Sequence, residues 1–187
     1  MNAVFIYGKQ YKRELLLPHK EVVRLQNFLK STTGNDVLIL NTNLGVEIYY
    51  ECIVDCSEMI VSSFLLHISK IDKNRNNFRI VTIKSDKEIL NRAELIFSKL
   101  VMMPIIFKSY TKSTCCQLNK SYETNKLLTN KLFVLWKQVL QQQLTRKLHY
   151  GKTKEFLDNL HDLYLENSCK TAIKSLIIKA MSSVRYN

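Results

Sequence analysis

The sequence predicts a mixed α+β or α/β chain with a small β-barrel over residues 1–72 and a partial α/β domain over residues 78–187 that ends in helices. Three observations support this. Short β-rich apolar segments concentrate in the first part of the chain, a strand–helix–strand pattern follows the apolar-free segment Asp72–Asn77, and residues 128–183 show only helical spacing of apolar residues.

The first part combines several short predicted strands with one early helix. His19–Lys30 is predicted to be helical because Val22, Val23, Leu25, Phe28 and Leu29 fall on one side, and Gly34 ends that helix. The predicted strands are 3–7, 13–17 (which ends at Pro18), Val37–Leu40, Glu47–Val54 and Met59–Ile68. Four or more short strands of this kind favour a small barrel.

The second part begins after Asp72–Asn77, which is polar and therefore marks the predicted boundary. Phe78–Ile83 is a predicted strand, and Asp86 is the predicted N-cap of a helix that ends near Lys99. We expect Met102–Phe107, which contains Pro104, to be a strand at an edge or a bend. Strand, helix and strand in this order predict a parallel βαβ unit, and Lys108–Ser121 is then a polar loop.

The strongest helical pattern is Leu128–Arg146. Its apolar stripe is formed by Leu128, Leu132, Leu135, Trp136 and Val139. Its polar end is unusual because three consecutive glutamines, 141 to 143, are followed closely by Arg146. Two further helices are predicted at Lys154–Glu166 and Cys169–Ser183.

Composition predicts an ordered cytoplasmic protein. Hydrophobic residues make up 46% of the 187, which is enough for a core. No apolar run reaches the roughly 18 residues needed to span a membrane, and the N-terminus lacks the basic region of a signal peptide. The five cysteines, an odd number without framework spacing, are typical of free thiols in a reducing compartment.

Charge is distributed unevenly along the chain. Residues 1–70 contain seven basic and seven acidic residues, whereas residues 71–187 contain 21 and nine, so the whole net charge of +12 lies in the second part. Such an excess favours a polyanionic partner, with nucleic acid first. Lysine drift in an AT-rich genome explains the same composition, and the sequence alone leaves both explanations open.

No motif for enzymatic chemistry is evident. Gly151-Lys152-Thr153 resembles the end of a phosphate-binding loop, but Arg146 stands where that loop needs a glycine. Cys52 and Cys56 lack the further ligands of a zinc site. A metal or thiol enzyme that uses Cys115-Cys116 is a weak possibility, because vicinal cysteines seldom bind one tetrahedral ion. We therefore predict no catalytic, cofactor-binding or metal-ligating residues.

Basic residues stand at the predicted ends of elements. Lys30 lies beside the Gly34 turn, Lys84 and Lys87 flank a strand-to-helix junction, and Arg146 ends the long helix. Lysines near a helix N-terminus are well placed for phosphate contacts, although each one alone is more often a solvated charge.

Taken in order, these segments resemble the RsmE family of 16S rRNA uracil-N3 methyltransferases. Leu25–Val37 looks like the family's H-L-x-x-V-L-R-x-x-x-G-D-x-V segment, with Lys30 in place of its arginine and Val23 and Arg24 in place of its histidine pair. The segment 84–87 looks like its K-G-D-K, and 142–146 like its E-Q-S-x-R. Only Leu100, Pro104 and Ser113 remain of its E-L-G-V…P…S-E-R-S.

The resemblance implies a PUA-like RNA-binding barrel, a SPOUT domain with a trefoil knot, S-adenosyl-L-methionine as cofactor and a homodimer. It implies RNA contacts at Arg24, Lys30, Lys84, Lys87, Gln143 and Arg146. The chain departs from the family after Gly151, because no glycine follows from which its G-P-E-G-G cofactor loop could be built. We therefore expect a shortened member that retains rRNA binding, binds no S-adenosyl-L-methionine and transfers no methyl group alone. A non-enzymatic basic protein that binds nucleic acid or a protein partner is the alternative.

Overall fold

A computed structural model describes residues 1–9, 15–68, 75–146 and 150–184, and in the last of these ranges the side chains of residues 151–168 and 173. In chain order the elements are β1 (Asn2–Gly8), α1 (His19–Thr33), β2 (Val37–Thr42), β3 (Gly45–Tyr50), α2 (Ser57–His67), a 3-10 turn (Arg75–Asn77), β4 (Phe78–Ile83), α3 (Asp86–Val101), α4 (Pro104–Ser121), α5 (Lys126–Thr145) and α6 (Tyr150–Val184). The predicted mixed α+β class is confirmed.

The four strands form one antiparallel sheet in the order β2-β3-β1-β4. β2 and β3 are joined by a two-residue turn, and β1 pairs with β3 on one side and with β4 on the other. The sheet is open, with β2 and β4 as its edges, so the described strands do not close the barrel that the sequence predicted. The parallel βαβ prediction is wrong, because β4 runs antiparallel to β1 and no strand follows α3 within the described residues.

Helices cover both faces of the sheet. Val4 and Ile6 of β1 pack in one cluster with residues of α1 and α2, whereas Ala3 and Phe5 pack in a second cluster with residues of α3, α4, α5 and α6. This alternation is the two-residue period of a strand. Burial on both faces explains why every residue of β2 and β3 is buried. The sheet takes strands from both sides of the predicted boundary at Asp72–Asn77, of which residues 72–74 lie outside the described residues.

The predicted strand Met59–Ile68 is wrong, because residues 57–67 form α2. Its buried Ile60, Val61 and Phe64 lie on one side of a helix, and the Ser63 hydroxyl donates a 2.7 Å hydrogen bond to the Met59 carbonyl one turn earlier. A short apolar run has no periodicity that separates a strand from a buried helix. Burial of Ile60, Val61 and Phe64 against the sheet stabilises this segment as a helix.

The predicted strand Met102–Phe107 and the predicted loop Lys108–Ser121 are also wrong, because both lie largely within α4. Pro104 is the first residue of this helix, where its missing N–H costs no hydrogen bond. The buried side is formed by Phe107, Tyr110, Thr114 and Leu118. Two of these four carry hydroxyls, which makes the helical stripe look polar in the sequence.

Three smaller predictions also change. The N-cap of α3 is Ser85 rather than Asp86, since the Ser85 hydroxyl accepts a 3.3 Å hydrogen bond from the Glu88 N–H. The two predicted C-terminal helices are one helix, α6. Of the predicted strand 13–17, residues 13 and 14 lie outside the described residues and Leu15–Leu17 are not in a strand.

Candidate nucleic-acid interface

The two predicted RNA contacts at the end of α5 are engaged with α3. Gln143 is 2% exposed, and its amide nitrogen donates to the Ser98 hydroxyl at 3.0 Å and to the Glu94 carbonyl at 3.4 Å. Arg146 forms an ion pair of 2.6 Å with the Glu94 carboxylate. Gln143 therefore fixes the packing of two helices, and its burial keeps it from RNA.

Two other predicted contacts are paired with acidic neighbours. The Arg24 guanidinium lies 2.7 Å from Glu21 on the same helix, and the Lys84 ammonium lies 2.7 Å from the Asp55 carboxylate. Lys84 and the neighbouring Ser57 hold the pKa of Asp55 well below its usual range. Exposed pairs of this kind contribute little to stability, so both cations are able to exchange an acidic neighbour for a phosphate. Lys87 is exposed and forms no ion pair with any described residue.

The six predicted contacts do not converge on one surface. Helices α3 and α5 run in the same direction, since Lys131 lies 3.7 Å from Asp86 at one end and Arg146 contacts Glu94 further along. Fifteen residues of helix separate Lys131 from Arg146, which corresponds to roughly 22 Å at 1.5 Å per residue. Lys84 and Lys87 thus lie near the start of α3, whereas Arg146 lies well along it.

Lys30 is the predicted contact that reaches a shared site. It lies in the last turn of α1, and its ammonium donates to the Asp36 carboxylate at 3.1 Å and to the Thr124 carbonyl at 3.0 Å. The second bond connects α1 with the segment 122–125 between α4 and α5. We call this segment the α4–α5 turn.

A cleft of about 620 Å³ opens beside this contact. Its lining residues come from the end of α1, the turn that follows it, the end of β3 and the start of α5: Lys30, Ser31, Gly34, Asn35, Asp36, Glu51, Leu127 and Leu128. The volume falls within the roughly 300–1,000 Å³ of small-ligand sites. We call it the α1–α5 cleft.

The electrostatics of the α1–α5 cleft favour an anion. Its two carboxylates are already paired, Asp36 with Lys30 at 3.1 Å and Glu51 with Lys131 at 2.6 Å. Lys120 and Lys126 flank the α4–α5 turn, are exposed and form no ion pair with any described residue. The N-cap residue Asn125 makes no side-chain cap of α5, so the partial positive charge of that helix start adds to the two lysines.

The wider surface of α4 and α5 is basic as well. From Lys99 to Lys154, with both end residues counted, the chain contains eleven basic residues and one acidic residue, Glu123. Neither α4 nor α5 contains an Asp or Glu, and both helices expose lysines. The excess of positive charge seen in the sequence therefore includes two adjoining helices rather than being spread evenly over the fold.

A second cleft, of about 470 Å³, lies between α4 and α6 and has mixed charge. Lys108 and Lys112 line one side, and Glu155, Asp162 and Glu166 line the other. No pair of these five comes within the 4.0 Å of an ion pair in the described structure. Because its carboxylates outnumber its lysines, this cleft is a weaker site for a polyanion than the α1–α5 cleft.

The strongest candidate for acid–base chemistry lies inside the fold. The Glu47 carboxylate is 1% exposed and accepts hydrogen bonds from Tyr49 at 2.7 Å and Tyr110 at 3.2 Å. Burial raises the pKa of Glu47 to about 7, although both hydroxyls and the charge of Arg92 act against that rise. The adjoining cavity is only about 10 Å³, so no substrate reaches the carboxylate. This group is structural.

The sequence did not indicate Glu47, Lys120 or Lys126. An acidic residue in an alternating strand is expected to face water, and only the covering helices reveal that it is buried. Lys120 lies in the segment 108–121, which was predicted to be a loop, and Lys126 lies shortly after it. The sequence does not indicate which surface an exposed lysine of a loop belongs to.

No protein-family model, curated protein or solved structure matches this chain. Among the described residues, none of the helices is long and apolar enough to cross a membrane, and no three His, Cys, Asp or Glu residues are grouped as metal ligands would be.

Proposed function

We propose that the protein binds RNA without catalysing a reaction, and that the phosphate backbone lies along the α4–α5 turn and the α1–α5 cleft. The observation that carries this proposal is the pairing of both cleft carboxylates while Lys120 and Lys126 form no ion pair with any described residue. A lysine that contacts a phosphate displaces counterions condensed on the nucleic acid, and this release supplies most of the affinity in non-specific binding.

The specific form of this proposal is binding of 16S rRNA in the cytoplasm, as the resemblance to RsmE methyltransferases implies. The region after Gly151 is helix α6 through Val184 and contains no glycine, so it offers no glycine-rich loop for S-adenosyl-L-methionine. We therefore propose rRNA binding, as a monomer or a homodimer, without methyl transfer.

A double variant tests the site. We expect Lys120→Gln with Lys126→Gln to weaken binding of a fluorescein-labelled single-stranded RNA, measured by anisotropy at low salt. Its control is Lys20→Gln with Lys99→Gln, which removes the same charge from two exposed lysines on other helices. The Lys120→Gln, Lys126→Gln variant should make the negative slope of the logarithm of the binding constant against log[salt] shallower by about 1.4, because each lost phosphate contact removes roughly 0.7 from its magnitude. Equal losses in both variants would contradict a defined site.

Two further measurements address the rRNA form. A small-subunit rRNA fragment should bind more tightly than a random RNA of equal length and strandedness, and equal affinities would favour the general nucleic-acid protein. Calorimetric titration with S-adenosyl-L-methionine should give no heat of binding. Micromolar affinity for the cofactor would contradict the account of α6.

A further inference from the structure

The loop between β3 and α2 contains two cysteines whose thiols face one another. Cys52 follows the end of β3, and Cys56 is the N-cap residue of α2. Their sulfur atoms lie 3.4 Å apart, and the Cys56 thiol also contacts the Val54 carbonyl at 3.4 Å. A disulfide has an S–S distance of about 2.05 Å, so the two sulfurs need to approach by less than 2 Å.

The same loop is open to small reagents. Both thiols are half-buried, and between them Ile53 is fully exposed and Val54 is 69% exposed. Asp55, held by Lys84 at 2.7 Å, completes the loop. Because the two residues between the cysteines are so exposed, a small reagent can approach both thiols from solvent.

We infer that Cys52 and Cys56 form a redox-modification site, which a low-molecular-weight disulfide such as oxidised glutathione converts to an intramolecular disulfide. One thiolate attacks a glutathione sulfur, forms a mixed disulfide and releases one glutathione thiol. The second cysteine then attacks the mixed disulfide and releases the other. In total, two cysteine thiols and one glutathione disulfide give one protein disulfide and two glutathione thiols, and the glutathione takes up the two electrons.

Contact between the sulfurs favours closure of the ring over a stable mixed disulfide. A thiol held beside the mixed disulfide attacks it at an effective concentration far above that of free glutathione. Burial, the contact with Cys52 and the charge of Asp55 raise the pKa of the Cys56 thiol. Oxidation should consequently be slow near neutral pH and become faster as the pH rises, because the thiolate is the nucleophile.

The chain provides its own control in Cys115 and Cys116. These residues are consecutive in α4, and consecutive helical side chains point in different directions. Both pairs can be followed in one digest, since trypsin leaves Cys52 and Cys56 together in the peptide 31–70 and Cys115 and Cys116 together in the peptide 113–120.

The test equilibrates the reduced full-length protein in glutathione buffers of increasing oxidised fraction. Acid quenching, alkylation, trypsin digestion and mass spectrometry then follow both peptides. Formation of the disulfide removes two hydrogen atoms from peptide 31–70. This loss should appear when the ratio of oxidised to reduced glutathione is still at least about tenfold below the ratio at which peptide 113–120 is modified. In Cys52→Ser, Cys56 should carry one glutathione instead.

Two outcomes would overturn the inference. The first is that, under conditions in which peptide 113–120 is already modified, peptide 31–70 still has both cysteines alkylated or carries one glutathione on each of them. The other is equal oxidation of both peptides across the series. The wild-type protein alone gives either result, so the test does not depend on the folding of the serine variant.

Discussion

The Tyr49 hydroxyl donates a 2.7 Å hydrogen bond to the Glu47 carboxylate, and both residues are almost completely buried. They stand two positions apart on β3 and therefore point to the same side of the sheet, into the cluster formed with α3 to α6. A buried carboxylate whose pKa is raised to about 7 is protonated in the folded protein at pH values where the unfolded chain has already lost that proton. Folding stability therefore depends on pH.

Stability should fall as the pH rises from about 4.5 to about 7. In this window the folded state binds more protons than the unfolded state, which makes the free energy of unfolding decrease with pH. A difference of about 2.5 pKa units corresponds to about 3 kcal/mol. We expect Glu47→Gln to flatten this dependence in urea unfolding measured at pH 5 and pH 8. A variant that keeps the wild-type slope would show that another group titrates.

Tyr49→Phe should cost more at pH 8 than at pH 5. Above pH 7 the hydroxyl donates to a charged acceptor, and such a bond contributes about 1.5–3 kcal/mol, whereas a bond to a neutral acid contributes about 1 kcal/mol. Urea unfolding of the variant at the two pH values measures the difference. Tyr110→Phe is the matched variant, and its longer bond of 3.2 Å predicts a smaller effect. Equal costs at both pH values would contradict ionisation of Glu47.

The two glycines with positive φ should respond differently to alanine. Gly45 has φ +146°, and a Cβ atom there would overlap the Ile6 carbonyl oxygen, so Gly45→Ala should cost at least about 3 kcal/mol. Gly34 has φ +65° with open space around it, and Gly34→Ala should cost about 1–2 kcal/mol. Chemical denaturation of both variants gives the comparison, and the reverse order would contradict the β2–β3 turn.

Trp136→Ala should remove about 3–5 kcal/mol of stability. The side chain is 1% exposed and meets the ring of Phe97 edge-on, with the ring centroids 5.5 Å apart. Val134→Ala, on the exposed side of the same helix, should change stability by less than about 0.5 kcal/mol. Thermal and urea unfolding of both variants would show whether α5 is buried as described.

The spacing of apolar residues predicted the elements in which that spacing fits either a helix or a strand but not both. β4 matches its predicted bounds, α1 and α5 begin and end within a few residues of theirs, and the apolar stripe of α5 is buried as expected. α2 was missed because its apolar run is too short for a clear period, and α4 because Pro104 suggested a break where it begins a helix.

Sheet direction and contacts between distant residues had no signal in the sequence. Nothing near β4 shows that it pairs antiparallel with β1, more than 70 residues earlier. Lys30 was singled out from a motif, but its contact with Thr124 depends on where two helices meet. The facing sulfurs of Cys52 and Cys56 depend equally on the path of a loop.

Photo-crosslinking tests the proposed interface most directly. A single-stranded RNA that contains 4-thiouridine is irradiated with the full-length protein, and crosslinked peptides are located by mass spectrometry. We expect crosslinks in the tryptic peptides 121–126 and 127–131, at the α4–α5 turn and the start of α5. Crosslinks confined to the tryptic peptides 93–99 in α3 and 155–170 in α6, which contain no residue of the cleft or the turn, would contradict it.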